Sequence, residues 1–196
     1  MQMDKELVEA AQQGDVAAFG QLYDRYVDKI YRYLYLHLRR REEAEDLAEE
    51  VFLKALKSLK SFRWQGVPFS AWLFRIARNL LIDHYRKGVA PVALDEGAPS
   101  SSPDVESMVE DRLSIAQVKE AMRELTEAQQ QVIALRFGAE LSIAETAQIM
   151  SKKEGAIKAL QHSAVAALRR LMASSFPELG QISTRLTDNE QTPGLL

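Results

Sequence analysis

Residues 71–87 of the chain (AWLFRIARNLLIDHYRK) carry side chains that could contact a nucleic acid. If this segment is helical, its apolar residues share one face, and a second face presents polar groups at spacings of three and four. The polar set consists of Arg75, Arg78, Asn79, Asp83 and Arg86. Guanidinium groups bind phosphates and base edges, and an amide can hydrogen-bond a base. A solvated helix face with an Asp–Arg pair would give the same pattern and is the commoner explanation of such spacing.

The segment just before this helix favours the nucleic-acid interpretation. Residues 61–69 (SFRWQGVPF) contain Gly66 and Pro68, which interrupt the helical pattern and predict a loop. The loop places aromatic side chains beside polar ones, namely Phe62, Arg63, Trp64, Gln65 and Phe69. An exposed aromatic ring that stacks on an unpaired base contributes about 1–3 kcal/mol. A core position remains an alternative explanation of Phe62 and Phe69.

A third set of residues suggests a protein-binding surface. In a helix predicted at about 42–60, the buried stripe consists of Ala44, Leu47, Ala48, Val51, Phe52, Ala55, Leu56 and Leu59. The opposite face carries Asp46, Glu49, Glu50 and Leu53, which we call the acidic ridge. An acidic surface with an exposed leucine suits a basic helix of a partner. A solvated face with one stray leucine explains the pattern equally well.

Apolar residues recur at helical spacing almost throughout the chain, and no segment alternates with the period of a strand. We therefore predict an all-α fold of two small helical domains joined by a flexible acidic linker. The first domain is residues 1–87, with Gly14 as a helix stop and Asp15 as the next N-cap. Its helices are expected at about 4–13, 16–38, 42–60 and 71–87. Residues 88–107 (GVAPVALDEGAPSSSPDVES) form the predicted linker, because they are rich in Gly, Pro and Ser and contain no Lys or Arg.

The second domain, residues 108–172, is expected to contain a helix-turn-helix. Ser or Thr is followed three residues later by Glu or Gln at Thr126, Ser142 and Ser151, which is the pattern of a capping box at a helix start. The last two starts leave only a tight turn between their helices.

The last helix of this domain has a predicted buried face and a polar set. The buried face consists of Ile157, Leu160, Ala164, Leu168 and Leu171. The polar set, suited to phosphates and base edges of duplex DNA, consists of Lys152, Lys153, Lys158, Gln161 and His162. A helical hairpin without DNA-binding function would have the same core. Residues 173–196 lack a strong period and are predicted to form a flexible tail.

The composition excludes several kinds of function. The 196 residues include no cysteine, so disulfides, thiolate metal sites and thiol nucleophiles are ruled out. His37, His84 and His162 lie on different predicted helices, and the sequence has no phosphate loop, nucleophile elbow or dinucleotide-binding motif. We therefore expect no catalytic residue, no metal and no cofactor. No segment approaches the ~20 apolar residues that span a bilayer, so a cytoplasmic protein without membrane insertion is expected.

Four segments together resemble the extracytoplasmic-function (ECF, group 4) sigma factors of the bacterial sigma-70 family, the RNA polymerase subunits that recognise promoters. They are FGQLYDRYVDKIYRYL (19–34), AEDLAEEVFLKALKSLKSF (44–62), GVPFSAWLFRIARNLLIDHYRK (66–87) and LSIAETAQIM…EGAIKALQH (141–162). The resemblance covers about residues 5–172. Ser151 stands where the family often has glycine, and Ser163 and Val165 stand where basic residues are common.

The resemblance implies a role for each surface. The acidic ridge would dock on the clamp helices of the largest subunit of core RNA polymerase. The loop of residues 61–69, with the polar face of the helix after it, would capture and recognise the melted non-template strand of the −10 element. The polar set of the last helix would recognise the −35 element as duplex promoter DNA. The family performs no covalent chemistry of its own, and an anti-sigma factor that covers these surfaces is an expected partner.

Two other functions compete with this one. A self-sufficient helix-turn-helix regulator would bind duplex DNA without polymerase, but it gives no reason for an acidic ridge beside an aromatic loop. A metal-dependent hydrolase would use Asp46, Glu49 and Glu50, but no paired ligand motif supports it. The net charge of −3 fits a subunit that binds DNA poorly by itself. Two weak DNA-binding surfaces held on the polymerase would gain affinity through effective concentration.

Overall fold

The structure is a computed structural model that describes residues 2–38, 40–64, 67–87 and 117–175. Its helices are α1 (Gln2–Gln12), α2 (Val16–Leu38), α3 (Arg41–Ser58), α4 (Phe69–Arg86), α5 (117–123), α6 (Glu127–Ile133), α7 (Ile143–Met150) and α8 (Glu154–Ser175). A 3-10 turn (Leu59–Ser61) follows α3, and a π-helical turn (Ala134–Gly138) follows α6.

The predicted all-α fold of two helical domains is confirmed, and the described ranges contain no strand. The predicted linker, 88–107, lies outside the described residues, as do residues 176–196 of the predicted tail. None of the helices described is both long enough and apolar enough to cross a membrane.

The junction between α1 and α2 follows the sequence prediction. Gly14 ends α1 with a φ of 99°, which glycine adopts without the strain that a Cβ would add. Asp15 then caps α2, because its Oδ1 accepts hydrogen bonds from the N–H groups of Ala17 at 2.9 Å and Ala18 at 3.1 Å. The predicted stop and N-cap are both confirmed.

One apolar core joins α2, α3 and α4. On α2 the buried residues recur at spacings of three and four, and the buried stripe of α3 faces them. Leu56 is the exception to the predicted stripe, since it is 51% exposed. Ala55 lies within the buried stripe, and the next residue is rotated by about 100° around the helix. Leu56 therefore lies on the outer surface, close to Leu53.

Buried polar contacts fasten α1 to α2. The Asp4 carboxylate accepts hydrogen bonds from Arg25 and, at 2.7 Å, from the hydroxyl of Tyr26. Burial and the hydrogen bond to this carboxylate raise the pKa of Tyr26, so the phenol remains protonated and can donate.

The far end of α1 holds the turn after α3. Gln12 Nε2 donates at 2.9 Å to the carbonyl oxygens of both Leu59 and Phe62. Both carbonyls lie beyond the end of α3, and the Gln12 amide donates to each of them. The start of the predicted aromatic loop is thereby fixed to the first domain.

Of the three capping boxes predicted in the second domain, two are confirmed. Thr126 and Ser142 head α6 and α7 in complete capping boxes, with Gln129 and Glu145 as the reciprocal partners. α8 packs across both helices and buries Ile157 in the domain core.

The capping box predicted at Ser151 is wrong. Ser151 closes α7 instead, with φ 53° and ψ 43° in the left-handed region. The N–H of Ser151 donates to Gln148 O at 3.3 Å and that of Lys152 donates to Ala147 O at 2.9 Å, which is the Schellman arrangement. An N-cap needs extended backbone, so a residue in the left-handed region cannot begin the next helix. α8 starts three residues later, at Glu154.

The second domain packs on the first along α2 and α4. Five of its apolar residues are buried with the first core, namely Ala134, Leu135, Ala139, Leu141 and Ile149. Gly138 allows the close approach, because a Cβ there would lie 2.7 Å from Leu36 Cδ1. Tyr33 is completely buried in the contact, and Gln131 Nε2 donates to its hydroxyl at 2.8 Å.

We expect Ser151→Gly to raise the free energy of unfolding by about 0.5–1 kcal/mol. The Cβ of a left-handed residue costs about 1–2 kcal/mol, and the greater freedom of glycine in the unfolded chain offsets part of that gain. The measurement is urea unfolding followed by circular dichroism. Ser163→Gly, in the interior of α8, is the matched control and should lower stability. Loss of stability by both variants would contradict the left-handed assignment.

Candidate nucleic-acid interface

A cleft of about 270 Å³ opens between the turn after α3 and the first turns of α4. Its lining residues are Ser61, Phe62, Arg63, Val67, Trp72 and Arg75. Two aromatic rings and two guanidinium groups therefore meet in one concave surface. An unpaired base can stack on such rings while the cations hold adjoining phosphates.

The aromatic residues of this region divide between cleft and core. Phe69 is 1% exposed and Phe62 is 6% exposed, so both contribute to the core, and Phe62 reaches the cleft only with its remaining surface. Trp64 is half-buried and meets Phe62 edge-on, with 5.3 Å between ring centroids. Trp72, which the sequence analysis did not single out, lies 4.9 Å from Phe62. The sequence did contain a signal for Trp72. It lies three residues before Arg75, and residues three apart share a helix face, so both could have been assigned to the same surface.

Arg63 is positioned by its own turn. Its Nη1 donates to the carbonyl oxygens of Lys60 at 2.8 Å and Phe62 at 3.0 Å. The exposed guanidinium is thereby kept at the cleft instead of extending freely into solvent. Gln65, the other polar residue predicted in this loop, lies outside the described residues.

The residues of the polar face predicted for α4 differ in exposure and contribute to more than one surface. Arg75 lines the aromatic cleft, whereas Asn79 and Asp83 line a separate groove of about 520 Å³ against Lys54 and Lys57 of α3. The remaining two members also differ. Arg86 is exposed and lies 3.9 Å from the Asp83 carboxylate, and Arg78 is half-buried and lies 3.7 Å from Glu127 of the second domain.

The acidic ridge lies on the outer face of α3, as predicted. Asp46 and Glu49 are exposed, and Glu50 makes an ion pair of 3.4 Å with Lys54 one turn later. Leu53 is 55% exposed, and Leu56, which the sequence analysis assigned to the core, adds a second exposed leucine beside it. Among the described residues, no group of three or more His, Asp or Glu side chains could hold a metal ion.

The polar set of the second domain lies at the start of the helix-turn-helix's last helix. Lys152 and Lys153 are exposed in the turn before α8, and Lys158 and His162 are exposed on α8 one turn apart. Gln161 is half-buried, and its Oε1 accepts a hydrogen bond from Arg136 Nε at 2.9 Å.

Two family models match the chain. The model for sigma-70 region 2 matches residues 22–89, and the model for sigma-70 region 4 matches residues 121–170. The first match contains the cleft and the acidic ridge, and the second contains the helix-turn-helix. α1, which holds the turn after α3, precedes both matched ranges.

Curated relatives and a solved structure agree with these matches. The chain is 46% identical over 171 residues to the ECF RNA polymerase sigma factor BldN of Streptomyces coelicolor, a match that covers 85% of this chain and 65% of that protein. It is 34% identical over 180 residues to the ECF RNA polymerase sigma factor SigW of Bacillus subtilis, covering 86% of this chain and 96% of that one. A structure of CnrH in complex with the cytosolic domain of CnrY has a TM-score of 0.70 at 25% identity, covering 88% of this chain and 98% of that chain. The chain therefore belongs to the ECF sigma factors of the sigma-70 family, the promoter-recognition subunits of bacterial RNA polymerase.

Proposed function

We propose that the protein binds core RNA polymerase in the cytoplasm and directs it to a particular set of promoters. Residues 1–87 dock on the polymerase and recognise the −10 element as a melted strand. Residues 108–172 recognise the −35 element as duplex DNA, residues 88–107 connect the two domains, and residues 173–196 form a tail. The protein is not itself an enzyme, because the polymerase supplies the catalysis.

The aromatic cleft at the start of α4 is the observation that carries this proposal. Duplex DNA cannot place a base in a concave site of about 270 Å³ without taking it out of the stack. Phe62 and Trp72 offer ring faces or edges to such a base, and Arg63 and Arg75 offer charge to the neighbouring phosphates. A regulator that contacts only duplex DNA has no use for this cleft.

The acidic ridge supplies the polymerase contact in this proposal. Its carboxylates attract a basic partner helix, and the exposed Leu53 and Leu56 give that contact an apolar centre. The ridge lies on α3, whose C-terminal end leads directly into the turn that lines the cleft. Docking through α3 therefore fixes the cleft relative to the polymerase.

An anti-sigma factor is the further partner that we propose. The solved neighbours include CnrH bound to the cytosolic domain of CnrY, and a sigma factor RpoE of Bartonella quintana bound to the anti-sigma factor NepR. An exposed acidic and apolar ridge needed for polymerase binding is also a surface that an inhibitor can cover.

Run-off transcription on a library of promoter fragments tests the proposed function. Purified bacterial core polymerase should start transcription at a subset of the library only when this protein is added, and the selected fragments should share two elements. Folded protein that binds duplex DNA alone and gives no promoter-specific start would instead support the self-sufficient regulator.

Replacing both exposed leucines of α3, in Leu53→Ala with Leu56→Ala, should weaken binding to core polymerase by about 2 kcal/mol or more, roughly 30-fold. Both side chains are largely exposed in the free chain, so the stability of the protein should change little. Fluorescence anisotropy with labelled protein and core polymerase measures the affinity. Val16→Ala, at a residue 83% exposed on α2, is the control. Equal affinity for wild type and double variant would remove α3 from the docking surface.

Trp72→Leu should weaken binding of the assembled polymerase to a promoter with a pre-melted −10 element by about 1–3 kcal/mol. Leucine keeps apolar contact with Phe62 but lacks a ring face for the base. Tyr23→Leu, at an exposed aromatic residue on α2, is the control and should have no effect. The affinity is measured by filter binding on the bubble template. An unchanged affinity for Trp72→Leu would show that no base stacks on this ring.

A further inference from the structure

Gln12, at the C-terminal end of α1, makes two hydrogen bonds to the turn that lines the cleft. Its Nε2 donates at 2.9 Å to the carbonyl oxygen of Leu59 and at 2.9 Å to that of Phe62. Both neighbours are acceptors, so the part of the amide that faces them must be the NH2 group. Each of its two hydrogens therefore has a partner, and the orientation of this half-buried side chain is fixed.

The turn itself is a short element that gains from an outside donor. Leu59–Ser61 is a single 3-10 turn, in which the N–H of Phe62 donates to the Leu59 carbonyl at 3.0 Å. Such turns stay short because their hydrogen-bond geometry is poorer than that of an α-helix. The Leu59 carbonyl accepts from both the Phe62 N–H and the Gln12 amide, which uses both of its lone pairs. Gln12 therefore holds the turn at both ends, from Leu59 to Phe62.

The Phe62 carbonyl connects Gln12 to the cleft. Besides the Gln12 amide, it accepts a hydrogen bond from Arg63 Nη1 at 3.0 Å, and the same Nη1 donates to the carbonyl of Lys60 at 2.8 Å. One carbonyl oxygen thus binds a donor from α1 and a donor from the wall of the cleft. Because Gln12 sets the direction of this carbonyl, it also sets the position of the Arg63 guanidinium.

α1 can hold the turn because its other end is attached to α2. The buried Asp4 carboxylate accepts hydrogen bonds from Arg25 and, at 2.7 Å, from the hydroxyl of Tyr26. Val8, between the two ends, is completely buried in the first core. About 12 Å of helix axis separates Asp4 from Gln12. The turn is therefore bonded to a helix that is itself fixed in the domain.

The position of Arg63 matters because an exposed arginine normally occupies many rotamers. Ordering such a side chain when a ligand binds costs free energy. Arg63 is exposed and lines the cleft, and its hydrogen bonds to the turn restrict it before DNA arrives. A smaller cost then remains when the guanidinium binds a phosphate.

We propose that Gln12 is a positioning residue for the cleft, which fixes the Phe62 carbonyl and so holds the Arg63 guanidinium ready for a phosphate of the melted strand. Gln12 precedes the range that matches sigma-70 region 2, residues 22–89, and acts on the cleft through the turn. The inference rests on the proposed function and adds to it a residue of α1 that touches no DNA.

Gln12→Met removes the donor from the turn, and Gln13→Met is the matched control. Methionine has nearly the length of glutamine and a similar helix propensity, so α1 should form in both variants. Gln13 is exposed and is the next residue along the chain. Circular dichroism should show the same helix content for wild type and both variants, which keeps loss of folding apart from loss of position.

Quenching of tryptophan fluorescence by acrylamide tests the turn in the free chain. The chain has two tryptophans, and both rings lie against Phe62, with centroids 5.3 Å away for Trp64 and 4.9 Å away for Trp72. Release of the Phe62 carbonyl should increase quenching in Gln12→Met and leave it unchanged in Gln13→Met. Equal quenching in all three proteins would show that Gln12 does not hold the turn, and the inference would be wrong.

Filter binding tests the effect on the promoter strand. We expect Gln12→Met to weaken binding of the assembled polymerase to a promoter with a pre-melted −10 element by about 3- to 10-fold, the effect of an ordinary hydrogen bond. Affinity for core polymerase, measured by fluorescence anisotropy, should equal that of wild type, because α3 and its exposed leucines are unchanged. A general loss of stability would lower both affinities. Equal strand affinity for Gln12→Met and Gln13→Met would overturn the inference.

The salt dependence of strand binding shows whether the effect passes through Arg63. Each phosphate contact with a single strand contributes about 0.7 to the slope of log affinity against log salt concentration. Gln12→Met changes no charge, so a smaller slope would mean that a contact made by another residue has been lost. We expect the slope for Gln12→Met to move toward that for Arg63→Ala. An unchanged slope would contradict the proposed link.

The double variant Gln12→Met with Arg63→Ala tests the same link independently of salt. If Gln12 acts by positioning Arg63, its effect disappears once that guanidinium is absent. The double variant should then bind the pre-melted promoter within about twofold of Arg63→Ala alone. Losses that multiply would mean that the two residues act independently, and Gln12 would have no positioning role toward Arg63.

A second matched pair uses charge instead of apolarity. Gln12→Glu keeps the shape of glutamine but places a carboxylate, which only accepts, against two carbonyl oxygens. Gln13→Glu makes the same change of charge at the neighbouring exposed residue. Relative to this control, Gln12→Glu should lose at least as much strand affinity as Gln12→Met does. Equal affinities for the two glutamate variants would count against the inference.

Failure of the proposed function has a separate signature. If wild type directs no promoter-specific start in the run-off experiment, the proposed function fails, and acrylamide quenching still tests whether Gln12 holds the turn. If wild type directs such starts while Gln12→Met equals Gln13→Met in quenching and in strand affinity, the proposed function stands and the role of Gln12 is wrong.

Discussion

The Tyr33 hydroxyl is completely buried where the two described domains meet, and a buried hydroxyl must be hydrogen-bonded. Its ring lies edge-on to Phe74 at 5.4 Å between centroids, within the first domain, whereas its hydrogen-bond partner Gln131 belongs to the second. The Tyr33 hydroxyl and the Gln131 amide hydrogen-bond each other when the two domains are in contact. Water could hydrogen-bond both groups if the domains separated. The pair therefore specifies how the domains meet without making their separation prohibitively unfavourable.

The same few helices then place every proposed site relative to this contact. α2 gives one face to the first core and another to the second domain, and α4 does the same beside it. α3 packs on the far side of the core, so the acidic ridge faces solvent while the second domain is closed.

Local signals in the sequence were reliable where a helix start or end depends on a few neighbouring residues. Asp15, Thr126 and Ser142 cap the helices as predicted, because a cap is a contact between residues two or three apart. Ser151 was assigned wrongly because two local rules competed for one residue, and closing α7 took precedence over opening α8. Leu56 was assigned wrongly because periodicity gives the direction of a stripe but not its width, which the neighbouring helices decide.

The sequence by itself determined the two helical domains, most helix boundaries and the residue types that could bind DNA or polymerase, because these follow from helical period, capping chemistry and composition. Only the tertiary structure decided which of those residues are accessible together. It turned Phe62 toward the core, brought Trp72 to the cleft and placed Arg75 and Arg78 in contact with the second domain. The reason is physical: exposure and long-range pairing depend on surfaces contributed by residues far apart in the chain, and no local pattern carries that information.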